Sequence, residues 1–276
     1  MPLGEHARIF ATIVKAEASF RIMELKRNPI FTILSLVWPY LMLVSIYVLG
    51  TSYGSIERFE AAMKVDDPIL FLAVASAIAF TAVGVIDYTT NSILWHRWLG
   101  TLPYVIMSTP SFTAYMIASG IVVTGFAIAM NYISISPLIL VIGGFESFYK
   151  LMIIVGIALL GMVPLAGIAA VAGLLSIIVK EEGNVLGFLN PLLLLVSGVF
   201  YPIEILPRIL ALMSKLVPVT YLVETAKLVA AFQATEVKII YIALYVFGLM
   251  AIVYNLGGGM VIAMLERHAQ KRGVSM

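Results

Sequence analysis

Six runs free of Asp, Glu, Lys and Arg dominate the chain, at residues 30–53, 69–86, 98–145, 151–179, 183–203 and 239–265. A bilayer core of roughly 30 Å takes about 20 residues of helix. Inside it only helices and closed barrels can satisfy their own backbone. Unbroken apolar runs of this length, without period-two alternation, select the helix. The sequence therefore predicts an all-α integral membrane protein with six transmembrane helices, at about 30–50, 69–86, 111–132, 151–178, 186–201 and 239–265. Charged residues make up only 12% of 276, about half the share of a soluble domain. The long run from 98 to 145 holds one predicted span because Pro103, Pro110, Pro137, Gly143 and Gly144 crowd its two ends.

The segment 190–232 departs most from a simple span. It starts uncharged and then meets Tyr201-Pro202, Pro207 and Pro218, which cut it into pieces too short to cross. Between Pro202 and Pro218, Glu204, Arg208, Ala211 and Lys215 fall on one helical stripe; after Pro218, Thr220, Glu224, Lys227 and Ala231 do the same. Two amphipathic helices of about 13 residues would each reach about 20 Å, short of the hydrocarbon core. The prediction is a re-entrant outer hairpin over 202–234, between spans five and six. It either lines a pathway, where broken backbone at membrane depth is covered, or lies flat and caps the bundle.

At the other end, residues 5–27 gather Ile9, Ile13, Phe20 and Met23 on an arc opposite Arg8, Lys15 and Lys26, the pattern of an interfacial amphipathic helix. Its charges exclude a cleavable signal peptide. Asn28-Pro29 then turns the chain into span one, with proline suited to a first helical turn. The Lys and Arg residues of both tails place both termini in the cytoplasm and the protein in the cell membrane as a multi-pass chain.

That orientation makes the connection from Asp87 to Pro110 cytoplasmic. A short helix over 91–103, ending at Gly100, carries Ile93, Leu94, Trp95, Trp98 and Leu99 around His96 and Arg97. The tryptophans would either anchor it at the headgroups or offer a knob to a soluble partner. Pro164, between Gly161 and Gly167, predicts a kink in span four, and Gly257-Gly258-Gly259 predict close approach of another helix to span six.

Reaction chemistry is absent from the pattern. The chain has no cysteine, and His6, His96 and His268 have no ligand partner at metal spacing, so no metal site is expected. It carries no G-x-x-x-x-G-K-[ST], G-x-S-x-G or H-E-x-x-H. A net charge of +2 gives no reason to expect nucleic acid. Glu204 and Glu224 each lie one helical turn from a cation, Arg208 and Lys227, and read as ion pairs rather than a carboxylate dyad.

Two stretches, HRWLGTLPYVIMSTPS from His96 and NPLLLLVSGVFYPIEILPRILALMSKLVPVTYLVE from Asn190, resemble the ABC-2 type permease family, the membrane subunits of ABC exporters. The order of spans, the interfacial helix and the broken hairpin are similar across nearly the whole chain. The resemblance implies that Ile93, Leu94, Trp95, His96, Arg97, Gly100, Thr101 and Leu102 form a coupling helix docked on a separate ATPase. Gly100-Thr101-Leu102 matches the family's Gly-Thr-Leu, with Pro103 where an acidic residue is usual. Tyr201-Pro202 and Pro218-Val219-Thr220-Tyr221 match the family's outer gate, so Tyr201, Pro202, Glu204, Arg208, Pro218, Tyr221 and Glu224 are the implied gate residues.

The resemblance further implies a homodimer or a pair of related permeases with two copies of a P-loop ATPase. ATP and Mg would be held by those partners, with no cofactor in this chain. The cargo implied is a hydrophobic or amphipathic drug, lipid or glycan. The rival expectation is an ion-gradient-driven transporter using Glu204, Glu224 or Asp87 as its coupling carboxylate.

Overall fold

A computed structural model describes residues 3–52, 68–101, 104, 112–179, 182–199, 203–230 and 237–271. All regular structure among them is helical: α1 (Leu3–Arg27), α2 (Pro29–Ser52), α3 (Pro68–Trp98), α4 (Phe112–Gly161), α5 (Val163–Val179), α6 (Glu182–Val196), a 3-10 turn (Ile203–Ile205), α7 (Arg208–Ser214), α8 (Pro218–Ala230) and α9 (Val237–Lys271). Three stretches, Phe71–Trp98, Tyr115–Gly161 and Leu244–Ile262, are long and apolar enough to cross a membrane, or up to five if each bent helix pair is one span. By length and composition this is a membrane protein, with three to five candidate spans among the described residues.

Helix α3 is the hub. Its apolar stretch is 72% buried, against 17% for α9, and it packs on α2, α4, α5, α6 and α8. The sequence predicts a span ending at residue 86 and a separate helix over 91–103, but the structure runs one helix through both. Asp87, Thr89 and Thr90 do not end it because neighbouring helices surround them. Asn190 Nδ2 on α6 donates to Asp87 Oδ1 at 2.6 Å, and Thr90 Oγ1 donates to the Ala169 carbonyl on α5 at 3.3 Å. A charge marks a membrane boundary only while it must reach water, and Asp87 has a protein partner instead.

The α4 segment is two helices. At Gly144, φ is +66° and ψ is −162°, a region essentially reserved for glycine. A Cβ built on Gly120 would lie 3.0 Å from the Ala166 Cβ. Those residues are separated by 46 positions, about 70 Å of straight helix, so the chain must double back between them. Gly144 lies close to midway. The irregular flank predicted after residue 132 is instead helix through Pro137, up to this reversal. Gly144→Ala should cost about 2 kcal/mol through its positive φ, read as a lower thermal midpoint in detergent; an unchanged midpoint would show that the turn relaxes without loss.

The break before Pro164 falls at Met162, and Pro164 takes the first turn of α5, where proline costs least. The gap receives a neighbour, since a Cβ on Gly161 would meet the Leu222 side chain of α8 at 2.6 Å. The glycine prediction for α9 holds at one residue. Gly258 and Gly167 face each other backbone to backbone, with a Cβ on Gly167 only 2.5 Å from the Tyr254 carbonyl oxygen. Gly257 has nothing within 4 Å.

Helices α1 and α2 meet at 95° around Asn28, as the Asn-Pro pair predicts. Thr32 Oγ1 donates back to the Leu25 and Asn28 carbonyls across the elbow, both at 3.1 Å.

Candidate functional site

Three places carry polar or exposed aromatic groups that bundle packing alone does not require. The first is the end of α3. Gly100 has φ +67°; its N–H donates to Arg97 O at 3.0 Å and Thr101 N–H to His96 O at 2.8 Å. These paired bonds make a Schellman stop. The His96 ring ties the stop to the bundle, with Nδ1 3.0 Å from Thr101 Oγ1 and Nε2 3.0 Å from the Tyr115 hydroxyl. Tyr115 in turn bonds Glu17 on α1. With Tyr115 donating to Glu17, Nε2–H donates to the Tyr115 oxygen, and the one proton of the Thr101 hydroxyl is shared between Nδ1 and the His96 carbonyl, 3.2 Å away.

This geometry divides the predicted coupling residues. Leu94 is fully buried, and His96, Arg97 and Thr101 are half-buried, so Leu94 and His96 hold the end of the helix rather than forming its surface. Trp95, Trp98 and Leu99 are exposed, as is Tyr104 beyond them. The two indoles pack edge to face with centroids 6.1 Å apart. Leu102 and the side chain of Ile93 lie outside the described residues. The four-residue spacing of Leu94 and Trp98 does not separate an inner from an outer face; their burial does. Removing the imidazole with His96→Ala should loosen the stop by about 2 kcal/mol for two hydrogen bonds. Amide exchange at Gly100 and Thr101 would then quicken by about 30-fold, and an unchanged rate would show that the backbone stop suffices alone.

The second place is the hairpin. Helices α7 and α8 are bent by 83°, and the tip between them is fastened to α9, where the Tyr254 hydroxyl donates to the Leu216 carbonyl at 2.5 Å. Tyr254 is seventeen residues from each end of α9, so the tip reaches the middle of that helix. Val219, Leu222 and Val223 are buried, and Thr220 Oγ1 donates to the Val196 carbonyl at 3.3 Å, covering the last turn of α6. Helix α6 has only 15 residues, about 22 Å, and stops in a turn at Gly198, φ +74°, rather than running on to residue 201.

Among the implied gate residues, Pro218 is buried, Tyr221 half-buried with its hydroxyl donating to Lys215 O at 3.0 Å, and Glu204, Arg208 and Glu224 are exposed. Tyr201, Pro202 and the Lys227 side chain lie outside the described residues. The predicted stripe of Glu204, Arg208, Ala211 and Lys215 does not form. Glu204 is in the 3-10 turn, Pro207 interrupts, and α7 spans seven residues that end before Lys215. The 13-residue prediction holds only for α8.

The third place is a cavity of about 550 Å³ between α1, α2, α3 and α4, with Trp38, Phe80 and Phe126 on its walls and Arg21, Glu24, Asp87 and Asn91 also lining it. Arg21 Nη1 pairs with Glu24 Oε2 at 2.8 Å, and its guanidinium lies 5.6 Å from the Tyr88 ring centre. Sequence reasoning singled out Asp87 but missed Arg21 and Asn190 as its company. The visible signal for Asn190 was an amide well inside an apolar run. Among the described residues, no group of His, Asp and Glu is arranged to hold a metal ion.

The chain matches no protein-family model and no curated protein.

Proposed function

We propose that this chain is the membrane-spanning permease subunit of an ATP-driven exporter of the ABC-2 type, moving a hydrophobic or amphipathic compound outwards. The reading rests chiefly on the end of α3. A rigidly stopped helix presents Trp95, Trp98 and Leu99 outwards, while the apolar stretch of the same helix is largely buried and packs on α8 of the hairpin. A push on the aromatic knob would travel along a stiff rod to the bent pair. The motor would be a separate P-loop ATPase in two copies, carrying ATP and Mg. A partner shifts such an equilibrium only by binding the two bundle states unequally, so closure of the ATPase must favour one position of α3.

In this reading the bundle crosses six times, both termini are cytoplasmic, α1 lies on the surface and α7–α8 re-enters from outside. The reversal at Gly144, the 95° elbow at Asn28 and the hairpin tip at the middle of α9 support that path. A second copy or a related permease would complete the pore.

Reconstitution tests the proposal. Proteoliposomes holding the chain and its partner P-loop ATPase should export a fluorescent amphiphile only with ATP inside reach of the ATPase, and the chain alone should move nothing uphill. The position of Asp87 within α3 favours the ion-driven rival specifically. Uphill transport by the chain alone, abolished by Asp87→Asn and by collapsing an ion gradient, would establish that rival and overturn the exporter reading.

A further inference from the structure

The cavity between α1, α2, α3 and α4 is not needed for docking or for the hairpin, and its lining has a definite chemistry. Its volume of about 550 Å³ lies inside the roughly 300–1,000 Å³ of ligand sites. Phe31, Leu34, Trp38 and Leu41 of α2 line it and each stays about half exposed. Its opening past α2 is therefore bordered by apolar side chains, and a ligand would enter sideways from the bilayer rather than from water.

The charged groups sit toward one end, while Asn131, whose amide donates to the Ala127 carbonyl, lines the other. Asp87 and Asn91 lie about 10 and 16 Å along α3 from Phe80, on the side where Arg21 of α1 meets Tyr88. Arg21 Nε is buried with no hydrogen-bond partner, and a buried donor left this way is costly. It calls for an acceptor. Glu24, already paired with Arg21 Nη1, and Asp87, which accepts from Asn190, line the same cavity and leave it one negative charge in excess of Arg21, which a cation would balance. A purely anionic headgroup would satisfy Arg21 but face two carboxylates. A purely cationic amphiphile would leave Nε unmatched. A headgroup carrying both a phosphate and a primary ammonium meets both demands.

We propose that this cavity binds a single aminophospholipid of the phosphoethanolamine class, phosphate on Arg21, ammonium against Glu24 and Asp87, and one acyl chain between Trp38, Phe80 and Phe126. The assignment rests only on α2, α3 and α4 lying in a bilayer. It stands or falls separately from the ATP-driven reading, because the test contains no ATPase and no transport step.

The experiment uses the purified full chain in nanodiscs doped with phosphatidylethanolamine that carries a diazirine at mid-chain. Photolysis should label the segments holding Trp38, Phe80 and Phe126 about tenfold more than the same photo-lipid with a phosphocholine or phosphoglycerol head, the range a charge-assisted hydrogen bond gives. Excess unlabelled phosphatidylethanolamine should compete. Arg21→Gln, which removes the buried donor, and Val83→Phe, which fills the apolar part and leaves the headgroup set intact, should each lower that labelling to the level of the control lipids. Equal labelling by all three headgroups would overturn the proposal. So would wild-type labelling no stronger at the cavity than along the exposed face of α9, whatever the two variants do.

Discussion

Gly167→Leu should leave little monodisperse protein, because α5 and α9 touch through their backbones at that residue. The first side-chain atom alone would lie 2.5 Å from the Tyr254 carbonyl oxygen and 2.8 Å from its carbon. Backbone cannot rotate away as a side chain can, so one helix must move bodily. On the opposite helix a Cβ at Gly258 would meet Gly167 O at 3.0 Å, which means the contact is tight from both sides. Overpacking of a dense core costs about 1–3 kcal/mol, occasionally more, and leucine against backbone belongs at the upper end. Separation would also pull Asn255 Nδ2 from the Val163 carbonyl, 3.2 Å away beside the break in front of α5, leaving that amide only its bond to the Ala251 carbonyl. Gly257→Leu is the control, since nothing lies within 4 Å of a Cβ there. Fluorescence-detected size exclusion after mild heating reads both variants. A Gly167→Leu protein as stable as Gly257→Leu would mean that the two helices can part freely, and that this contact does not fix α9.

The contrast between those two glycines also marks how far the sequence could be read. Gly257, Gly258 and Gly259 announce a close approach, and one occurs, but nothing in a run of three identical residues tells which one bears the contact. That depends on the rotation of α9 about its axis, which is set by Gly167 some 90 positions earlier. Local signals did better where a single residue decides. Gly100 stops α3, Asn28-Pro29 bends the chain, and Pro164 sits at a break, because positive φ and the missing proline N–H act within one turn. Long-range satisfaction was the harder case. Asp87 looked like the end of a span until Asn190, 103 residues away, supplied its hydrogen bond. Pro137 looked like a helix terminator, yet the helix runs through it to Gly144. For the hairpin, helical periodicity across Pro207 was extrapolated over a 3-10 turn that breaks it, and so the charged stripe around Arg208 did not survive. At the end of α3 the five neighbouring residues look alike in sequence, and only burial distinguishes Leu94 and His96 from Trp95, Trp98 and Leu99.

Those exposed residues carry the second large expectation. In the permease reading, Trp98→Ala should weaken binding of the ATPase partner by about 30-fold, the loss of about 2 kcal/mol usual for an aromatic anchor seated in a pocket. Trp98 is 62% exposed and Trp95 51%, a large apolar area for two adjacent turns of an otherwise buried helix. Their edge-to-face contact makes them one unit, so the double alanine variant should lose less than the product of the single losses. Leu99→Ala should add a smaller decrement, as leucine is seldom an anchor. The competing account places both indoles at the headgroups as an aromatic belt, and the readout separates the two. A belt residue affects insertion and tilt, so its loss would lower the amount of protein in the membrane while leaving partner affinity per molecule unchanged. A docking residue does the reverse. The Schellman stop at Gly100 and the His96 bonds to Thr101 and Tyr115 lie behind this surface, so truncating the indoles should not unwind α3, and amide exchange at Thr101 should stay at its wild-type rate. Co-purification of the ATPase at full strength with the double variant, in membranes holding normal amounts of the chain, would remove the knob from the mechanism. Force would then have to enter the bundle somewhere other than the end of α3.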